Sequence, residues 1–253
     1  MFPSACGRRR QSRRPGGREA LRPHRPRPSE NAPSELLQKD CRPPESGHRL
    51  GCVGSQSAGS GVMPTLLFIS HPEVVVDPAT PVERWSLSPA GVERMRAFSQ
   101  SPVVSGVRSI WCSTETKAIE AADILAGALG LGVGLSQDLG ENDRSATGFL
   151  PPDEFESVAD AFFASPADSV RGWERAVDAQ ARVRRAVARI ANDHEEGDLA
   201  IVAHGAVGTL LFCALSDTPI ARSVDQPFQG HFWIASLPSL EPVEGWMPIA
   251  PRI

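Results

Sequence analysis

Three short apolar runs, each followed by a helix-patterned segment, constrain this chain most. They are "TLLFI" (residues 65–69), "GVRSIWCS" (106–113) and "DLAIVA" (198–203). The first and third read as buried strands from their continuous apolar residues, and the second, interrupted by Arg108 and Ser109, reads as a further strand. After the first comes "LSPAGVERMRAFSQS", where Ser88 can cap a helix and Pro89 suits its first turn. Val92, Met95, Arg96 and Phe98 give that helix a partly apolar face. After the second, "TETKAIEAADILAGALG" sets Ala118, Ala121, Ala122, Leu125 and Leu129 at helical spacing, with Gly130 or Gly132 to end it. "GVGLSQDL" reads as a further strand leading into the polar loop "GENDRSATG", and "PPDEFESVADAFFAS" as a helix start. "GWERAVDAQARVRRAVARIANDH" is the longest periodic segment. Its inner stripe is Trp173, Ala176, Gln180, Val183, Val187 and Ile190; Arg175, Arg182 and Arg189 form an outer stripe, read as a solvated face. "HFWIASL" is a late strand, and no internal repeat is found. The alternation predicts an α/β fold with three α/β/α layers and a mostly parallel central sheet.

The 253 residues are of two kinds. Residues 1–62 hold 11 Arg and one Lys against 5 acidic residues, a balance of +7; the remainder, with 14 basic and 25 acidic residues, is at −11. The first part is rich in Arg, Pro, Gly and Ser and cannot bury enough apolar surface to offset its ordering entropy. Residues 1–62 are therefore expected to be a disordered leader, and residues 63–253 the folded domain. In one reading the leader is an upstream extension and Met63 the start. A transit peptide is another, which the prolines oppose. A basic RNA-binding arm is a third, but no aromatic residues interleave with its arginines.

No apolar run approaches the roughly 18 residues of a membrane helix, and no apolar segment follows the early arginines as in a signal peptide. The five cysteines, Cys6, Cys41, Cys52, Cys112 and Cys213, show no CxxC spacing, so neither a disulfide framework nor a zinc site is indicated. A reducing, cytoplasmic setting is expected, with Cys112 and Cys213 as buried small apolar residues.

In parallel α/β sheets, ligands bind beyond the carboxyl ends of the strands. His71 follows one predicted strand by one residue, and His204 directly follows another. Neighbouring strands stand about 5 Å apart, so two such imidazoles can share one cleft.

Five blocks in order then resemble the histidine phosphatase superfamily, the phosphoglycerate-mutase-like fold, over most of residues 65–237. They are Ser70-His71-Pro72-Glu73, Leu87-Ser88-Pro89-Ala90-Gly91, "CSTETKAIEAADILA" with Lys117 in the place of an arginine, Leu139-Gly140-Glu141, and Ala203-His204-Gly205. The resemblance implies a hydrolase of phosphomonoesters. His71 would attack phosphorus to give a phosphohistidine that water hydrolyses. His204 would donate to the phosphoryl oxygens, Lys117 would add charge, and Glu141 would protonate the leaving oxygen and later activate water. Ser70, Arg144 and Gly205 complete the expected substrate-binding set. The implied substrate is a small phosphorylated metabolite or a phosphoprotein, with no metal or other cofactor, no nucleic acid and no membrane. Glu141 and Asp143 could also be solvated loop acids, and Glu174 could simply begin a helix.

The departures from the family pattern fall on the phosphate pocket. Ser70 stands for an arginine, Pro72 for a glycine, Asp77 for an asparagine and Thr209 for an arginine of some members. Lys117 is the only lysine after residue 62, in a stretch with 13 arginines. Lysine supplies charge without the planar fork of arginine. Arg144 and Arg84 are candidates to compensate. Three functions remain open: a phosphatase with an altered pocket, a weakened or inactive relative that binds an acidic ligand or a protein partner, and a metal-dependent hydrolase. The third lacks any H-x-H or H-E-x-x-H spacing.

Overall fold

A computed structural model describes residues 63–252; the expectations for the leader, and Cys6, Cys41 and Cys52, lie outside the described residues. Six strands form one sheet: β1 (Thr65–Ser70), β2 (Val107–Cys112), β3 (Val133–Leu135), β4 (Asp198–Ala203), β5 (His231–Ser236) and β6 (Pro242–Pro248), in the order β3-β2-β4-β1-β5-β6. β1, β2, β3 and β4 run parallel, while β5 lies antiparallel to both β1 and β6. Among the described residues the five α-helices are α1 (Pro89–Ser99), α2 (Thr116–Leu129), α3 (Pro152–Ala164), α4 (Ala176–Asn192) and α5 (Gly205–Leu215).

The two-residue period of a strand builds the layers. Leu66 and Phe68 of β1 face α3, α4 and α5, packing with Phe162, Val183, Val187 and Leu210. Leu67 and Ile69 face the other way, onto Met95 and Phe98 of α1 and Leu125 of α2. Both faces of the central strands are buried, hence their unbroken apolar runs. β6 escaped the sequence reading because "PVEGWMP" carries prolines and a glycine, which an edge strand tolerates.

The expected helix signals are in place. Ser88 Oγ accepts the Gly91 N–H at 3.1 Å with Pro89 in the first turn, and α2 ends at Gly130 with φ 69°. Gly91 itself is forced by a close approach: a Cβ there would stand 2.2 Å from the Glu73 carbonyl oxygen. That carbonyl accepts the Ser88 N–H at 2.8 Å, which locks the start of α1 to the segment after β1.

Two assignments on helix faces need correction. Arg96 is exposed and paired with Glu93; the arginine on the inner face of α1 is Arg94, fully buried. Arg182 of α4 is not solvated. It is half-buried and donates to the carbonyls of Asp138, Gly140 and Glu141 and to the Glu174 carboxylate. Arg175 and Arg189 are exposed and pair with Asp178 and Asp138.

Candidate active site

β1 and β4 are neighbours in register, so their carboxyl ends deliver His71 and His204 side by side. The His71 N–H donates to the Ala203 carbonyl at 3.1 Å, and the two rings lie with centroids 5.3 Å apart. His71 Nδ1 donates to the Pro72 carbonyl at 2.9 Å, which leaves the Nε2 lone pair free. Burial, helped by Lys117, lowers the His71 pKa to about 4, so the ring is neutral at neutral pH. Pro72 removes a backbone donor, yet its carbonyl fixes the tautomer a nucleophile needs.

His204 is fully buried at the start of α5. Its Nε2 is 2.7 Å from Ser113 Oγ and 3.2 Å from Glu115 Oε1. A carboxylate only accepts, so the proton belongs on Nε2. Burial pushes the His204 pKa well down, against the pull of Glu115.

Glu141 lies after the short 3-10 turn Gln137–Leu139, at the N-terminus of α5. Its carboxylate accepts from Val207 N at 3.1 Å and Ala206 N at 3.3 Å. Burial raises its pKa, with Arg144 opposing. This loop is held by Arg182, the residue expected on a solvated face, and Glu174 serves as that arginine's ion partner. Arg144 makes no ion pair among the described residues; its guanidinium lies over Phe155 and Trp173, at 5.2 and 5.6 Å from the ring centroids.

A cleft of about 500 Å³ opens beside this cluster. Residues 78–83 line one side, with Glu115, Glu141, Asn142, Asp143, Arg144 and Phe149 around the rest. Phe149, whose ring lies 6.0 Å from that of Trp85, brings an apolar part of the loop after Glu141 to the border of the cleft.

The residues that depart from the family pattern are bonded to groups of the chain itself. Ser70 is fully buried; its Oγ donates to Gln226 Oε1 at 2.5 Å and accepts from His231 N at 3.0 Å. Gln226 also lies against Gly205, where a Cβ would stand 2.2 Å from Gln226 Nε2. Gln226 therefore packs against Ser70 and Gly205, two of the four residues of the expected substrate-binding set. Thr209 donates to Asp225 at 2.6 Å, and the exposed Asp77 is used within its own turn, accepting from Thr80 and Ala79. Lys117 is 2 % exposed and donates to the Val82 carbonyl at 2.9 Å and to Glu115 Oε2 at 2.5 Å.

Glu115, Ser113 and Gln226 were missed from sequence. Glu115 had one available signal, an acid two residues before the only lysine of the domain, within a block already tied to phosphate binding. Gln226 had none, since it reaches Ser70 across 156 residues from an unpatterned loop. Cys112 is buried and its thiol is pushed up to about 12 by burial; Cys213 is buried and also free. Among the described residues no cluster of His, Cys, Asp and Glu has the form of a metal site, and no helix is long and apolar enough to cross a membrane.

Comparison with known proteins agrees with this architecture. No curated protein matches the chain. Among solved structures, a mycobacterial glucosyl-3-phosphoglycerate phosphatase superposes with a TM-score of 0.61 at 18% identity, over 75% of this chain and 98% of that one. Bacillus stearothermophilus YhfR gives 0.59 at 23% identity, over 71% and 94%. A phosphoserine phosphatase from Entamoeba histolytica, in complex with 3-phosphoglyceric acid, gives 0.60 at 17% identity, over 73% and 96%. The family model for the histidine phosphatase superfamily (branch 1) matches residues 81–230, a span that holds Lys117, Glu141, Arg144 and His204 and begins after the Ser-His-Pro segment. The chain belongs to the histidine phosphatase superfamily.

Proposed function

We propose that the cleft is a phosphomonoesterase site carried by residues 63–253, with His71 as nucleophile. The observation that carries this is the His71 ring itself: neutral, pinned through Nδ1 on the Pro72 carbonyl, with Nε2 free beside His204. The Nε2 lone pair attacks phosphorus as the ester P–O bond breaks. The protonated Glu141 carboxyl gives its proton to the leaving oxygen. Glu141, now a carboxylate, takes a proton from water as that water attacks the phosphohistidine, releasing phosphate and restoring His71. A raised carboxyl pKa suits the acid half of this cycle. Lys117 and the His204 N–H serve the phosphoryl oxygens, and Arg144 stands at the cleft for the rest of the substrate. Ser70 and Gly205 shape this end of the site through Gln226.

A small phosphorylated metabolite is the favoured substrate class, in keeping with the names of the mycobacterial and Entamoeba neighbours; a phosphoprotein is the other member of that reading. No cofactor enters the cycle. A cytoplasmic setting fits the two free buried cysteines. The test is hydrolysis of p-nitrophenyl phosphate by the full chain, with His71→Ala as control. Turnover lost in the variant supports the assignment; turnover that survives His71→Ala rejects it.

A second reading, a weakened relative that binds a ligand or partner without useful turnover, is favoured by one observation. The only lysine among the described residues, Lys117, is already paired with Glu115. Wild-type protein that neither hydrolyses the ester nor forms an acid-labile phosphohistidine would select this reading.

A further inference from the structure

Glu115 stands at the cap position before α2, yet its side chain makes no capping bond. Its carboxylate turns into the cleft instead. There Oε2 accepts from Lys117 Nζ at 2.5 Å, Oε1 accepts from Glu141 N at 2.8 Å, and the same Oε1 lies 3.2 Å from His204 Nε2. Two donors thus converge on one carboxylate, an ammonium and a backbone N–H, and His204 Nε2, hydrogen-bonded to Ser113 Oγ at 2.7 Å, stands close beside it. Lys117 and His204 are the groups assigned above to the phosphoryl oxygens. Buried donors need an acceptor, and a buried lysine needs an anion. Here both needs are met from within the chain. Burial pushes the Glu115 pKa up, but His204 and Lys117 outweigh it and bring it to about 2. The group is therefore charged at neutral pH and repels an incoming phosphate dianion.

We propose that Glu115 is an internal carboxylate seated where a phosphoryl group binds, so that a phosphomonoester enters only by displacing it from Lys117 and His204. This rests on the reading of the cleft as a phosphate site. Glu115 then sets the affinity threshold of the site, and a substrate must bring binding energy from its remaining groups. Simple phosphates are poor ligands for that reason, and selectivity for a particular organic moiety is sharpened.

The probe is inorganic phosphate, titrated calorimetrically into the full chain at neutral pH. Glu115→Gln keeps the shape and removes the charge; Glu115→Ala empties the position. At least one of the two binds phosphate tenfold or more tightly than wild type, as expected for releasing one charge-assisted contact. Adding Lys117→Met to the improved variant removes the gain. Phosphate binding in both variants that is equal to or weaker than wild type overturns the proposal. Binding needs no turnover, which separates the two ideas. Tighter phosphate binding with no His71-dependent hydrolysis sinks the phosphatase reading alone. His71-dependent hydrolysis with no gain in phosphate binding sinks the Glu115 proposal alone.

Discussion

The rings of His71 and His204 lie 5.3 Å apart and 71° to one another, both buried at the ends of neighbouring parallel strands. Two imidazoles this close and this dry are not both charged, and burial holds both pKa values below the usual 6.5. Stability then depends on pH with a definite sign. Between pH 6.5 and about 4 the unfolded chain binds a proton at His71 and the folded chain does not, so folding is progressively disfavoured as pH falls. The shift to about 4 corresponds to about 3 kcal/mol lost over that window from His71, and His204 adds to it with the same sign. Glu141, with its raised pKa, works in the opposite direction and offsets part of this. Urea melts between pH 7 and 4.5 are expected to show a falling midpoint, with a shallower fall in His71→Asn. A wild-type midpoint that is flat across this range is incompatible with neutral buried imidazoles.

Arg94 tests how the segment after His71 is held. It is fully buried, donates to both Glu73 oxygens at 2.8 Å, and also reaches the carbonyls of Gln229, Gly230 and Ala250. Arg94→Ala leaves Glu73 with only the longer Arg252 contact at 3.7 Å and strands three carbonyls, and about 3 kcal/mol of stability is expected to go. Arg94→Met combined with Glu73→Gln recovers part, because volume returns and the lone charge is gone. Denaturant melts of the two variants against wild type measure both effects.

How far the sequence carries is visible in these same residues. The strands before His71 and His204 were legible because a strand buried on both faces must be a continuous apolar run, and the βα rule then places their ends together. Arg94 and Arg96 differ by two positions, and hydropathy cannot say which points inward when a buried partner such as Glu73 is supplied from elsewhere. By spacing alone Arg182 falls on a solvated stripe, because spacing describes a helix face and not the loop laid across it. Glu115 was missed because a cap position leaves the direction of its side chain open, and only the fold brings Lys117, Glu141 and His204 around it. The family resemblance covered the backbone frame well. It covered the pocket chemistry least, where Ser70, Glu115 and Gln226 rearrange the contacts.

Arg182 is expected to act on the loop of Glu141 rather than on the global fold alone. Its guanidinium ties the carbonyls of Asp138, Gly140 and Glu141 to α4. Arg182→Ala frees these acceptors, and Arg182→Lys keeps the charge but loses the fork. Amide hydrogen exchange at residues 139–143 is expected to speed up at least tenfold in the Ala variant and less in the Lys variant. The amides of β1 should exchange as in wild type. Equal acceleration in β1 would assign Arg182 a purely global role.

Glu141→Gln gives a signature that depends on the leaving group. The carboxyl is raised in pKa by burial and sits on the first N–H groups of α5, so it is poised to donate a proton once and take one back. Glutamine keeps the shape and most of the hydrogen bonding and removes that proton. An alkyl phosphate has a poor leaving oxygen and needs the proton in the transition state; its kcat/KM is expected to fall about 10²–10⁴-fold. p-Nitrophenyl phosphate releases a stabilised phenolate and is expected to lose much less in the phosphorylation step. Its turnover then becomes limited by water attack on the phosphohistidine, which also lacks its base, so a burst of nitrophenol precedes a slow steady state. Rapid-mix measurement with both substrates checks this. Equal losses for the two esters, with no burst, would move the general acid to another residue, Asp143 being the next carboxyl along the same loop.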